Sequence, residues 1–438
     1  MKHIKAALVW ALLGTSALSA DDISEAVGKD YSYLDRLYKH LHSNPELSFK
    51  EHNTAARIAD ELRGVGFDVT EQVGRVGVVG VLKNGEGPTV LVRTDLDALP
   101  VTEQTGFSFA SKAMGVNEAG DTVGVMHACG HDIHMTSFIG TARQLAQNKA
   151  KWKGTLVFIG QPAEETVGGA QAMLSDGLFE RFPKPDYNIA LHVSSSMASG
   201  TVGMTSGYAL ANVNSVDIAI KGIGGHGAYP HTTKDPIVLG AQIVTALQTL
   251  VSRETSPLDS GVVTVGSFHS GTKHNIISDG AHLQLTVRSY TDEVRENLLT
   301  GIKRIAEAQA MSIGLPRELW PEVTYSQGTP ATFNQPEFTE RVHAAMTEKF
   351  GVDRVIWSSP VMGAEDFAYY GRTDDKIPSL MFWVGAAKPE DVRAAKEGKK
   401  KLPSLHSPFF KPDYQATITQ GVEAMTLAVM DILNNSER

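Results

Sequence analysis

Two textures of apolar and polar positions succeed one another along the chain. In the first, short apolar runs are separated by stretches with helical spacing. These runs are VGVVGVL (76–82), TVLVRTD (89–95), TLVFIGQ (155–161) and NIALHV (188–193). Their alternation with helical segments, after a charge-rich leading helix at 24–42, predicts an α/β domain with a mainly parallel sheet. From about Val213 the texture changes. Strands SVDIAIKG (215–222), GVVTVGSFHSG (261–271) and HLQLTVRSY (282–290) alternate in the two-residue period, with helical patterns at 235–253 and 292–312. That β-α-β-β-α order predicts a small two-layer α+β domain with its sheet covered on one face, read here as an inserted lid. A helix at 336–350, a strand SLMFWVGA at 379–386 and a closing helix at 415–434 then return to the first texture. The expected organisation is one discontinuous catalytic domain, 21–212 and 326–438, with a mixed, mainly parallel sheet flanked by helices and the lid at 213–325.

The first twenty residues, MKHIKAALVWALLGTSALSA, run from a basic start through an apolar stretch to Ala17, Ser19 and Ala20. This is the layout of a signal peptide cut after Ser19 or Ala20, and it predicts an exported protein, periplasmic or secreted. An uncleaved span needs roughly 20 apolar residues, and Gly14, Thr15 and Ser16 interrupt the run too early. With 42% hydrophobic and 20% charged residues the chain as a whole reads as an ordinary folded globule. The net charge of -9, with nothing more basic than KEGKKK (396–401), leaves no electrostatic footprint for nucleic acid or a membrane surface. A single cysteine, Cys129, excludes an intramolecular disulfide.

That cysteine sits in MHACGHDIHM (126–135), beside His131 and across Gly130. Thiolate, imidazole and carboxylate are the groups that zinc and its neighbours prefer. Two blander readings stand beside this one: His127 and His131 as a helical i, i+4 pair, which Gly130 would weaken, and Cys129 as a small buried hydrophobe. Ligand-type residues recur, however, at other strand ends and in one late loop: Glu164 and Glu165 in QPAEE, His192 in ALHV, and His406 in LPSLHSPFF. In open α/β sheets, functional groups collect beyond the carboxyl ends of strands.

Eight motifs in order carry a family resemblance: HSNPELSFKE (42–51), RTDLDALPV (93–101), HACGHDIH (127–134), QPAEETVGGA (161–170), GIGGHGAYPH (222–231), GTKHNIISD (271–279), MGAEDF (362–367) and LHSPFF (405–410). Together they resemble the amidohydrolase branch of the dinuclear metallo-aminoacylase and carboxypeptidase family, which includes hippurate hydrolase and the plant hydrolases of indole-acetyl-amino acid conjugates. The resemblance implies two divalent metal ions, zinc first, with manganese, cobalt and nickel compatible. Their ligands would be Cys129, His131, Glu165, His192 and His406. Outside this branch a histidine stands where Asp95 stands here.

By the same resemblance Glu164 is the general base and Asp97 orients a metal ligand. Asn275 and Arg288 hold the oxyanion and the substrate carboxylate, and His226 reaches the scissile carbonyl, often from a partner subunit. A salt-bridge or ligand role for Glu164, a turn-capping role for Asp97 and a surface role for Arg288 are the alternatives. The implied protein is a homodimer through the lid that binds a small molecule. It removes an acyl group from an amino acid or short peptide with a free carboxylate. A dipeptidase or carboxypeptidase acting on nutrient or cell-wall peptides is the alternative within hydrolases, and a catalytically inactive binding protein on the same fold the alternative outside them. Ile133, Ser278 and KPDY (411–414) depart from the branch pattern, and Ile133 is placed to narrow the pocket beside His131. His127, His134 and His231 are read as structural residues or as supports behind the ligands.

Overall fold

The computed structural model describes residues 20–326 and 328–435; residues 1–19 of the expected leader lie outside them. Its main sheet has eight strands in the order Asp68–Val73, Gly77–Asn84, Gly154–Gln161, Thr89–Asp95, Tyr187–Ala198, Ser379–Ala387, Val202–Met204 and Val355–Trp357. The four central strands, from Gly154–Gln161 to Ser379–Ala387, run parallel, and antiparallel strands continue the sheet on each side. The sheet is therefore mixed and mainly parallel, and it draws strands from both sides of the intervening 212–325 region.

The central strands are apolar because both of their faces are covered. Along Thr89–Asp95, Val90 and Val92 turn to one side. There the helices Ala20–Ser43, His131–Gln147 and Tyr414–Asn435 pack on the sheet with Leu34, Phe138 and Val429. Leu91 turns to the other, against Met173, Phe367 and Tyr370. The closing helix is buried along almost its whole length, which is why its sequence shows apolar residues all round.

The second sheet has four strands, Gly261–Ser270, Gly280–Ser289, Asn212–Lys221 and Glu322–Tyr325 in that order, all antiparallel. Val216, Ile218 and Ile220 alternate inward with Leu283 and Leu285 against Leu239, Ile243, Leu298 and Ile302 of two helices. Those helices begin where the sequence supplies caps. The Asp235 carboxylate accepts from the backbone of Ile237 at 2.8 Å, and the Thr291 hydroxyl accepts from Val294 at 3.2 Å. The Glu322–Tyr325 strand is an addition to the five-element pattern of the sequence. It is short and mostly exposed, so no apolar period announces it.

Candidate metal centre

Four parallel strands point their carboxyl ends at one place, and the ligand-type residues lie just beyond them. Asp95 ends its strand and Asp97 follows. Gln161 ends the next, and the Pro162–Glu165 turn carries the paired glutamates. His192 lies within Tyr187–Ala198, opposite Trp383 of the neighbouring strand. Cys129 and His131 arrive from a different direction. Gly130, between them, has φ of 84° and starts the helix His131–Gln147, so His127 is not on that helix and the i, i+4 pairing does not form. Backbone strain gathers here as well: Ala163, Val167 and His406 hold φ of 50°, 52° and 64°, a left-handed conformation costing about 1–2 kcal/mol each for residues with a Cβ.

The five expected ligands form two groups that share Cys129. One is Cys129, His131 and His192; the other is Cys129, Glu165 and His406, and in each the ligand atoms lie within 4.8 Å of one another. Cys129 Sγ is 3.6 Å from His192 Nε2, and Glu165 Oε2 is 3.5 Å from His406 Nε2. Donors about 3.3–3.8 Å apart are what a tetrahedral ion with bonds of about 2.0–2.3 Å requires.

The hydrogen bonds leave the right lone pairs free. His131 Nδ1 is 2.8 Å from the Asp97 carbonyl, and His192 Nδ1 is 2.8 Å from the Val193 carbonyl. A carbonyl only accepts, so each Nδ1 carries a proton and Nε2 is the nitrogen left to face an ion, which in His131 would take the place of a second proton. His131 Nε2 and Glu165 Oε1, 3.8 Å apart, are buried without a hydrogen-bond partner among the described residues. Orphaned buried donors and acceptors of this kind fit metal ions.

The charges point the same way. His131 is held up to about 10: burial opposes its charge, but Asp95, the hydrogen-bonded Asp97 and Glu165 prevail. Burial raises Glu165 to about 8, against the pull of His131 and with the help of Asp97 and Asp95. Burial pushes the Cys129 thiol well up, and Glu165 and Glu164 add to it. The Glu164 carboxyl is likewise pushed well up by burial, then by Glu365 and Glu165. So many carboxylates around one imidazole leave a negative surplus that cations offset.

Asp97 is fully buried and performs two tasks. Its carboxylate accepts from the Ser48 hydroxyl at 2.6 Å and from the Glu165 backbone at 3.0 Å, while its carbonyl orients His131. Ile133, by contrast, does not border the cavity. It is 1% exposed and packed in the core beneath the sheet, because the first turn of the helix directs it away from His131. The narrowing expected of it is corrected accordingly.

The sequence reading missed the support behind the site. Arg93, fully buried, donates to Asp95 Oδ2 at 2.8 Å, Glu365 Oε1 at 2.7 Å, Gln161 Oε1 at 3.0 Å and Asp366 Oδ1 at 3.2 Å. It ties two strand ends to the 365–366 loop. The available signal was an arginine inside an apolar strand and an acidic pair in MGAEDF, both within quoted motifs but without an assigned role.

Above the ligands opens a cavity of about 890 Å³. Cys129, Glu164, Glu165, His192 and His406 line its floor, Trp383, Leu210 and Leu405 its walls, and Arg288 reaches it from the lid. Arg288 alternates out of the lid core and donates to the Met362 carbonyl at 2.7 Å. His226 and Asn275 are elsewhere. They sit together on an exposed ribbon where Gly225–His226 pairs with Ile276–Ile277, and neither borders the cavity of its own chain.

Ligand-type residues at the carboxyl ends of a sheet, two ligand groups that share Cys129 and a cavity above them are the parts of a metal-dependent enzyme acting on a small molecule. The profile of peptidase family M20/M25/M40 matches residues 91–425, and the chain belongs to that family. The chain is 36% identical to thermostable carboxypeptidase 2 of Saccharolobus solfataricus, over 83% of this chain and 89% of that protein. It is 36% identical to the hippurate hydrolase of Campylobacter jejuni, over 77% and 84% respectively. Among solved structures, the Bacillus subtilis YXEP protein, a dinuclear metal-binding peptidase of the M20 family, superposes with a TM-score of 0.74 at 30% identity. That match covers 93% of this chain and 99% of the other.

Proposed function

We propose that the protein hydrolyses N-acyl-amino acids, or short peptides, that bear a free carboxylate. The observation that carries this reading is the pair of ligand groups meeting at Cys129 with Glu164 beside them, under a cavity that Arg288 overlooks. Cys129, His131, Glu165, His192 and His406 would hold two divalent ions, zinc first, which would supply Lewis acidity for the amide carbonyl and for a bound water. Glu164 takes the proton of the attacking water and returns it to the nitrogen of the departing amino acid as the C–N bond breaks. Arg288 offers a planar fork for the substrate carboxylate. Asp97 keeps His131 in the tautomer that presents Nε2.

His226 and Asn275 would enter the cavity of a second copy of the chain. Tyr229, Ile237, Val238 and Ile276 are exposed around them, which supports a dimer through the lid. Export is the matching proposal for residues 1–20, checked by sequencing the N-terminus of protein recovered from a periplasmic fraction. The activity is tested with a panel of N-acyl-amino acids and dipeptides on metal-reconstituted enzyme. Higher kcat/KM on the acyl compounds is expected; turnover of dipeptides alone would replace the reading with a peptidase.

A further inference from the structure

His134, the last histidine of HACGHDIH, is 1% exposed and lies against the ring of His192, with centroids 4.5 Å apart. Both of its ring nitrogens are engaged. Val193 donates its backbone N–H to His134 Nε2 at 2.9 Å. A backbone N–H can only donate, so in the neutral ring the proton sits on Nδ1, which donates to Asp95 Oδ1 at 2.8 Å. The other Asp95 oxygen accepts from Arg93 at 2.8 Å. His134 therefore keeps no ring lone pair for an ion, and each Asp95 oxygen already accepts one hydrogen bond, although both residues stand within a ligand-type group with His131.

What the two histidines hold is the backbone of one residue, Val193. The Val193 N–H is taken by His134, and the Val193 carbonyl is taken by His192 Nδ1 at 2.8 Å. Donation thus runs from His192 to Val193, from Val193 to His134 and from His134 to Asp95, whose other oxygen buried Arg93 anchors. We infer that Asp95 and His134 are positioning residues that set the ring orientation of His192, and so the affinity of the ion held by Cys129, His131 and His192. Arg93, Asp95, His134 and Val193 are not members of the group formed by Cys129, Glu165 and His406. Outer partners of metal-bound histidines are worth about 10–100-fold in metal affinity.

The inference rests on the two-ion reading above, and a titration of metal-free protein with Zn²⁺ by calorimetry separates the two. Wild type should take up two ions; fewer than two would defeat the two-ion reading itself. His134→Phe keeps the ring packing and removes both hydrogen bonds. It should weaken one of the two affinities by about 10–100-fold and leave the other within about threefold. His134→Gln, whose carbonyl can accept from Val193, should recover most of the loss, whereas His134→Asn, too short to reach Val193, should not. Two wild-type affinities in His134→Phe would overturn the inference while leaving the two-ion reading intact. Equal weakening of both sites without recovery in His134→Gln would also overturn it, since that marks a general packing role.

Discussion

At the scale of single residues, the shared position of Cys129 separates it from the other ligands. Because it belongs to both groups, Cys129→Ser should loosen both ions, while His406→Ala should loosen one. Metal-to-protein ratios after dialysis check this, and a Cys129→Ser protein that keeps one ion tightly would refute the sharing. Glu164 has a different signature. If it moves the proton only in the transition state, Glu164→Gln should cost about 10² or more in kcat with both ions still bound. A near-normal kcat would reassign it. These residues were readable in the sequence because few side chain types can ligate a cation or accept a proton. Arg93, Glu365 and Asp366 were not readable, since buried charges announce themselves only through their partners.

At the scale of elements, the junction between Cys129 and the His131–Gln147 helix carries the geometry. A Cβ on Gly130 would stand 2.6 Å from Val193 Cγ2, on a backbone at φ 84°. Gly130→Ala should therefore lose roughly 2–4 kcal/mol of stability, from left-handed strain plus overpacking. It should also release metal, because the displaced residue is the neighbour of His192. Denaturant unfolding and metal content measure the two effects, and wild-type values of both would dismiss the junction as a constraint.

The leading helix makes a second such junction. His42 Nδ1 lies 2.6 Å from Asp132 and its Nε2 lies 3.0 Å from Glu103. Burial works against its charge, yet these two carboxylates raise it from 6.5 to about 9. The folded value lies above the unfolded one, so the stabilisation is complete below pH 6.5 and disappears as pH rises through 9. The shift corresponds to on the order of 3 kcal/mol at most. The stability difference between wild type and His42→Gln should shrink across pH 6.5–9, and a constant difference would show that His42 stays neutral.

At the scale of the whole molecule, one chain brings the five expected ligands, Glu164, Asp97 and Arg288 together and leaves His226 and Asn275 on an exposed ribbon. If a second copy supplies them, mixing inactive His226→Ala with inactive Glu164→Gln should restore up to about a quarter of wild-type activity, from the one intact site in each hybrid dimer. No recovery after verified subunit exchange would argue that His226 acts within its own chain. The sequence by itself determined the α/β texture, the two-layer lid, the residue types of the metal cradle and the family pattern, because periodicity and ligand chemistry are local properties. Only the tertiary structure decided that Cys129 is common to both ligand groups, that Ile133 faces the core, that Arg93 anchors Asp95, and that His134 clamps the peptide beside His192. Each of those depends on residues from different strands meeting at one end of the sheet, and the spacing along a chain does not encode which strands become neighbours.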